Sequence, residues 1–565
     1  MKRLIIFVVV ITIGTYINSY AQVPTKVLSK NQAFEKYPKF EISQKNSRII
    51  KLPKFDIASF LEEDEAIKGL DVPFRFGKGF DVDYSLQDGY WENTTDGRVW
   101  SLVVESDGAY SINFIFNELF LPPKGELYIY NDDGSMVYGP VTNKQNLTKG
   151  LFLTDLVQGD KVTLHIFEPS NFKEKTRLRI NRIVHAYKNM YSGYSTGPGT
   201  AEACHNNIDC YPNWGDESDG IALILLSSGT EWCTGGMVNN TANDYTPNIL
   251  TAFHCIDVSY PYGSLSSTEI SNAESWMFKF GFRYNECGGM NYWATTFNGA
   301  NYLSGWVETD FALLEMNESP VGNDNIAYLG WDNRDNTPTS GIGIHHPSGD
   351  YMKISFENNS FSTSTWGPGG LTDGHWLINF DDGVVEHGSS GSPIFNQDGR
   401  IVGQLHGNFN YNEAEDYCDQ PRAEYGRFDF SWNGNNTNAT QLAHWLDPNS
   451  TGASTTNLLR SPSLTVPDVI CYSGTTVSIQ NAPNVTITWG GISVSYPYGN
   501  TGTSVTVRAS SSSTSNNGTV TASFTVNNIP YTITHPVWVG TPSFTWDYVN
   551  SDTELSPFEY GFAYP

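Results

Sequence analysis

Charge is scarce in this sequence, and positive charge is the scarcer kind. Charged residues make up 16% of the chain, with 33 Lys and Arg against 60 Asp and Glu and a net charge of -27. A surface of that sign repels phosphates, which argues against nucleic acid or an anionic membrane as a partner. Long apolar runs are also lacking. One stretch, Leu4 to Ile13, follows Met1-Lys2-Arg3 and is too short to span a bilayer, and nothing later comes closer. No CxxC pair and no HExxH occur, so no metal site is signalled and neither a metal nor another cofactor is expected. Helical periodicity is rare, confined to a polar stretch around 57–70 and another near 439–446.

What is present points to export. The basic start, the apolar run and Ser19-Tyr20-Ala21 have the form of a secretory signal cut after Ala21, which predicts a soluble, secreted protein. In an oxidising compartment the seven cysteines read as disulfides. Six of them, Cys204, Cys210, Cys233, Cys255, Cys287 and Cys418, fall in one stretch, and Cys471 stands apart.

Composition divides the rest. Residues 22 to about 70 are mixed and Lys-rich. From about 74 to 169, short alternating segments such as Val99–Val104 and Glu126–Tyr130 are separated by turn residues, the pattern of a β-sandwich. Residues 192–200 are rich in Gly, Ser and Pro and read as an exposed linker, where processing between about 191 and 203 is expected. Residues 201–448 carry the chemistry. Residues 462–545 are rich in Thr, Ser and Val with period-2 alternation and predict an immunoglobulin-like sandwich, expected to offer a surface to another protein or a glycan. Residues 546–565 are aromatic and acidic, with no assigned role.

Three short motifs decide the chemistry. Thr251-Ala252-Phe253-His254-Cys255 sets a His beside a Cys. Thr309-Asp310-Phe311-Ala312 sets an Asp before an apolar strand, and Gly388-Ser389-Ser390-Gly391-Ser392-Pro393 sets a Ser in a glycine-flanked turn. Each alone is ordinary: His beside Cys is usually structural, Asp before a strand is usually a cap, and Ser and Gly crowd loops. Together they supply what nucleophilic catalysis needs. A serine hydroxyl is a poor nucleophile without a base in reach, imidazole titrates near neutral pH, and a buried carboxylate orients the ring. The order His, Asp, Ser is that of the chymotrypsin-type proteases. Glycines at 388 and 391 let the chain turn and aim the N–H groups of Gly388 and Ser390 at an oxyanion. A Cys233–Cys255 bridge would hold the His254 loop to a neighbouring strand.

Residues 201–448 resemble the bacterial lysyl endopeptidases, a branch of the trypsin-like serine proteases. The resemblance rests on 233–240 (CTGGMVNN), the three motifs, 330–335 (GWDNRD), 344–347 (IHHP), 403–407 (GQLHG) and Tyr425-Gly426-Arg427. It implies an all-β, chymotrypsin-like double β-barrel with His254 as base, Asp310 as orienter and Ser390 as nucleophile. It also implies a propeptide at 22–200, disulfides Cys204–Cys418 and Cys210–Cys287, and Trp366 and His406 beside the active site. His345 and His346 are adjacent on a strand, face opposite ways and read as structural.

Lysine selectivity in these enzymes rests on an Asp two residues before the Tyr of Tyr-Gly-Arg, and Ala423 stands there. Glu386 on the pocket wall, Asp419 and Glu424 are the substitutes within reach, with Glu424 expected to face away. Strict lysine specificity is therefore not expected, and small or apolar side chains are. The expected activity is hydrolysis of proteins or peptides by a monomeric enzyme made as a zymogen. The competing expectation is a non-catalytic adhesion or binding protein on a protease-like scaffold, which a substitution among the three motif residues would have favoured.

Overall fold

A computed structural model describes residues 22–541, apart from 38, 69, 71, 192–200, 261, 290–291 and 413–415. The expected signal segment, the linker at 192–200 and the tail at 546–565 lie outside the described residues.

The chain is all-β. Its runs of Val, Ile, Phe, Tyr and Thr, broken every few residues by Gly, Asn and Asp, favour short pleated strands over helices. The longest helix among the described residues is Ile57–Ala66, started by Asp56 accepting from the Ala58 N–H. The helix expected near 439–446 is a single turn, Ala443–Leu446. Two compact units form: one runs to Ser463 and takes in Val526–Tyr531, and the other holds Leu464–Thr525 and resumes at Thr532.

In the first unit, residues from about 201 onward build the chymotrypsin-like double β-barrel. The first set of antiparallel strands includes Ile221–Leu225, Glu231–Val238, Asn248–Ala252, Met277–Tyr284 and Phe311–Met316. The second is an eight-stranded sheet that includes Gly341–His345, Pro393–Asn396, Ile401–Gly407 and Arg422–Arg427. Buried Ile221, Val238, Leu250, Leu313, Ile344 and Phe395 form one apolar cluster drawn from both sets.

The N-terminal part of this unit has two sheets over an apolar cluster of its own, with Trp100, Phe114, Ile129 and Leu164 at its centre. Its strands continue to Ala186, beyond the expected limit of 169, because Arg177–Ala186 pairs with both Ser111–Phe120 and Gly77–Ser85. Arg177, Arg179 and Arg182 alternate with buried Leu178, Ile180 and Ile183, the period-2 pattern of a strand with one buried face.

The N-terminal part and the barrels share a sheet. Strand Val23–Val27 pairs with Met136–Val141 on one side and with Tyr292–Asn298 on the other. Phe74–Arg75 adds to Glu231–Val238. Phe76, Leu153 and Val184 from the N-terminal part bury against Leu223, Trp232 and Met277 from the barrel.

The second unit has two four-stranded sheets. Buried Val505, Val507 and Ala509 alternate with partly or fully exposed neighbours, as do Val520, Ala522 and Phe524. Disulfides join Cys204 to Cys418, Cys210 to Cys287 and Cys233 to Cys255, and Cys471 is a free, exposed thiol. Among the described residues no helix is long and apolar enough to cross a membrane.

Candidate active site

Strand register brings Asp310 and His254 together. Asn248–Ala252 runs antiparallel to Phe311–Met316 with Ala252 opposite Phe311, so the residues just past the two ends meet. Asp310 sits at φ 55, a left-handed conformation that costs a residue with a Cβ about 1–2 kcal/mol. It is held there from both sides. Its N–H donates to the Val307 carbonyl at 3.1 Å, and its carbonyl accepts from the Phe253 N–H at 2.7 Å. The carboxylate is then clamped to the histidine twice. The His254 N–H donates to Oδ1 at 2.8 Å, and Nδ1 lies 2.8 Å from Oδ2. With Nδ1 as the donor, Nε2 is left as the basic nitrogen. The Cys233–Cys255 bridge anchors the single turn Phe253–Cys255 that carries the ring.

The Ser390 turn is fitted onto the strand that leads to His254. Gly388 and Gly391 have φ 89 and 83, open to glycine and strained for any other residue. A Cβ on Gly391 would lie 2.2 Å from Thr251 Oγ1 and 2.5 Å from Ala252 N, so the backbones meet only because the side chain is absent. Thr234 stitches the same turn to the first barrel. Its N–H donates to the Ser390 carbonyl at 2.9 Å, its hydroxyl donates to the Gly388 carbonyl at 2.7 Å, and its own carbonyl accepts from Thr251 Oγ1.

His406 stacks on Trp366 with ring centroids 3.6 Å apart and 17° between planes. It lies 5.9 Å from the His254 ring, and its Nε2 is 3.9 Å from Asp310 Oδ2. On its far side Nδ1 meets His375 Nε2 at 2.9 Å.

A cleft of ≈ 290 Å³ opens beside Ser390, with Trp366, His406, Tyr417, Arg422 and Leu70 among its walls. The Cys204–Cys418 bridge ties its Tyr417 wall to the segment that starts the barrels. Glu386 also lines the cleft, but its buried carboxylate is occupied by His205 Nε2 at 2.8 Å, the Ser348 hydroxyl at 2.7 Å and the Glu202 N–H at 2.9 Å. Burial pushes that carboxyl up, yet His205, Ser348 and Glu202 together hold it below the usual range. Ala423 packs in an apolar cluster with Trp376, Ile378, Val385 and Leu405. Glu424 lies on the same side of its strand as Arg422 and bonds to it at 2.5 Å.

His345 and His346 are fully buried and point apart. His345 bonds to Ser389 and Ser355, and His346 bonds to the Asp350 carbonyl. Burial keeps both neutral, and pushes His346 down to about 3.

The structure thus brings His254, Asp310, Ser390, Trp366 and His406 to one place. Sequence reading missed Thr234, His375, Leu70 and Arg422 there. Thr234 lies in a quoted motif, and no local pattern marks the other three.

Residues 198–425 match the family described as "Lysyl endopeptidase, C-terminal domain". Rv3671c from M. tuberculosis, in an inactive form, is similar at 15% identity over 40% of this chain and 90% of its own, with a TM-score of 0.25. Kallikrein-related peptidase 10 is similar at 16% identity over 38% of this chain and 92% of its own, with a TM-score of 0.25. Deg5 is similar at 15% identity over 34% of this chain and 81% of its own, with a TM-score of 0.23. Residues 198–425 thus resemble the C-terminal domain of the lysyl endopeptidases.

Proposed function

We propose that the protein is a secreted endopeptidase, made as a zymogen, that hydrolyses peptide bonds through an acyl-enzyme on Ser390. The observation that carries this is the double hydrogen bond from His254 to Asp310 beside the glycine-flanked Ser390 turn. His254 takes the Ser390 proton as the hydroxyl attacks the scissile carbonyl, and returns it to the leaving amine. Asp310 holds the tautomer and stabilises the imidazolium. The N–H groups of Gly388 and Ser390 receive the oxyanion, a contribution of about 2.7–4 kcal/mol per donor in comparable sites. The reaction needs no cofactor.

The zymogen reading is supported by Leu70, which precedes the expected processing site and lines the same cleft as Ser390. Lys68, two residues earlier in the sequence, stands 5.1 Å over the Tyr417 ring. Secretion is supported by the start of the sequence and by three disulfides. Residues 462–545 are then an appended immunoglobulin-like module.

Fluorophosphonate labelling of the processed protein, followed by peptide mapping, tests the proposal. The label should fall on Ser390, and Ser390→Ala should lower kcat by about five to six orders of magnitude. Absence of the label, or near-native hydrolysis by Ser390→Ala, would refute it.

A further inference from the structure

Two side chains of opposite charge, Glu386 and Arg422, line the cleft beside Ser390, and they stand in opposite states. Glu386 has both oxygens engaged. Oε1 accepts from the Glu202 N–H and meets His205 Nε2, and Oε2 accepts from the Ser348 hydroxyl. Its side chain is 2% exposed, so an arriving ammonium would find no open lone pair. Ala423, which stands where the related enzymes carry their lysine-binding Asp, lies in the apolar cluster and offers no charge.

Arg422 opens the strand Arg422–Arg427, with its side chain 30% exposed. One guanidinium nitrogen, Nη2, donates to Glu424 Oε1 at 2.5 Å. Buried Nε has no hydrogen-bond partner among the described residues. Glu424 cannot serve a substrate in its place: its other oxygen accepts from the Phe409 N–H at 2.9 Å, and its side chain is 1% exposed. The negative partner is sealed behind the positive one. The remaining titratable walls, His387, His406, Tyr411 and Tyr417, add no open carboxylate.

We propose that Arg422 is the specificity-determining residue of this cleft, and that it selects substrates whose side chain before the scissile bond ends in a carbonyl acceptor, Glu first and Gln second. The proposal rests on the endopeptidase reading above and names its substrate class. A guanidinium has five donors in a planar fork that matches a carboxylate, and a carboxamide oxygen meets the same fork without the charge. A lysine ammonium would approach a like charge with no free carboxylate to receive it. An apolar side chain would strip water from donors and give nothing back. The expectation of small or apolar residues took Ala423 as the floor; a charged wall at Arg422 changes it.

A peptide-library digest with the processed secreted protein, followed by matched fluorogenic peptides differing only at that residue, tests this. Cleavage is expected after Glu and Gln, with kcat/KM for Glu at least about tenfold above the Lys and Ala counterparts. Arg422→Met should lower the Glu-to-Ala ratio of kcat/KM by at least about tenfold, and Arg422→Lys should lower it less. Because Arg422→Met leaves Glu424 buried alone, the pair Arg422→Met with Glu424→Leu serves as the second variant and should lose the same ratio. A labelled, active enzyme that cleaves after Lys or after small apolar residues would overturn the pocket assignment alone. An enzyme that takes no fluorophosphonate on Ser390 would overturn the endopeptidase reading, and this proposal with it.

Discussion

Lys279 and Asp155 lie 124 residues apart in sequence and 2.9 Å apart in space, sealed from water with side-chain exposures of 2% and 0%. Lys279 belongs to the barrel strand Met277–Tyr284, and Asp155 belongs to the N-terminal part. Thr25 of the shared strand also donates to Asp155, at 2.5 Å. Burial pushes the Lys279 ammonium down, and Asp155 pulls it back. Removing the acid alone strands a buried cation. Asp155→Asn in a Ser390→Ala background should destabilise the chain by about 3–5 kcal/mol, whereas Asp155→Leu with Lys279→Met should cost far less. Urea unfolding midpoints check both. Equal losses for the single and double variants would contradict an ion-pair origin.

The shared sheet and shared apolar cluster should hold the chain together after a cut in the linker. With Val23–Val27 laddered to both parts and Phe76, Leu153 and Val184 packed against Leu223, Trp232 and Met277, cleavage within 192–200 should not separate the pieces. In a Ser390→Ala chain nicked there by an added protease, the two fragments should co-elute from gel filtration in native buffer and separate in urea. Separation without denaturant would mean that these contacts do not outlast the covalent link.

The same contacts mark the limit of what was legible in the sequence. His254, Asp310 and Ser390 sit in motifs that are ordinary singly and legible together, because the three occur in one order with a bridging cysteine beside the histidine and glycines around the serine. The barrel strands were legible from their apolar runs. Lys279 with Asp155, and Val23–Val27 with two distant partners, leave no local trace, since pairing across such separations depends on the finished fold. Arg177–Ala186 carries the same alternation as the strands that were read, and only the limit set at 169 left it out. Arg422 carries no local signal, and only the cleft places it beside Ser390.

Asp310→Asn tests orientation apart from nucleophilicity. Oδ1 and Oδ2 each accept a hydrogen bond from His254, one from the backbone N–H and one at Nδ1. An amide can accept only through its oxygen, so its NH2 would face a donor and favour the wrong tautomer. The fold should persist while kcat at neutral pH falls by about four orders of magnitude. Steady-state kinetics with circular dichroism separates the two effects. A loss of tenfold or less would mean that Asp310 is not what orients His254.

Stability in mild acid should depend on His165. This ring is 2% exposed in the N-terminal part, tilted 58° against Phe40 with centroids 4.9 Å apart and bonded through Nδ1 to Ser43 Oγ at 2.7 Å. Burial, helped by the charge of Lys39, pushes it from 6.5 down to about 3. The native state therefore keeps the ring neutral where the unfolded chain protonates it. Its contribution is fully present above 6.5, falls by up to about 1.4 kcal/mol per pH unit below that, and is spent near pH 3. Buried carboxyls raised by their surroundings, such as Asp209 at about 6, act with the opposite sign, so the parent profile alone does not isolate the histidine. A difference does. His165→Gln cannot titrate, so its deficit in unfolding free energy relative to the parent should shrink steadily from pH 6.5 to pH 4.5. Urea unfolding of Ser390→Ala chains at half-unit steps measures that gap. A gap constant with pH would show that His165 takes up its proton as readily in the native protein as in the unfolded chain.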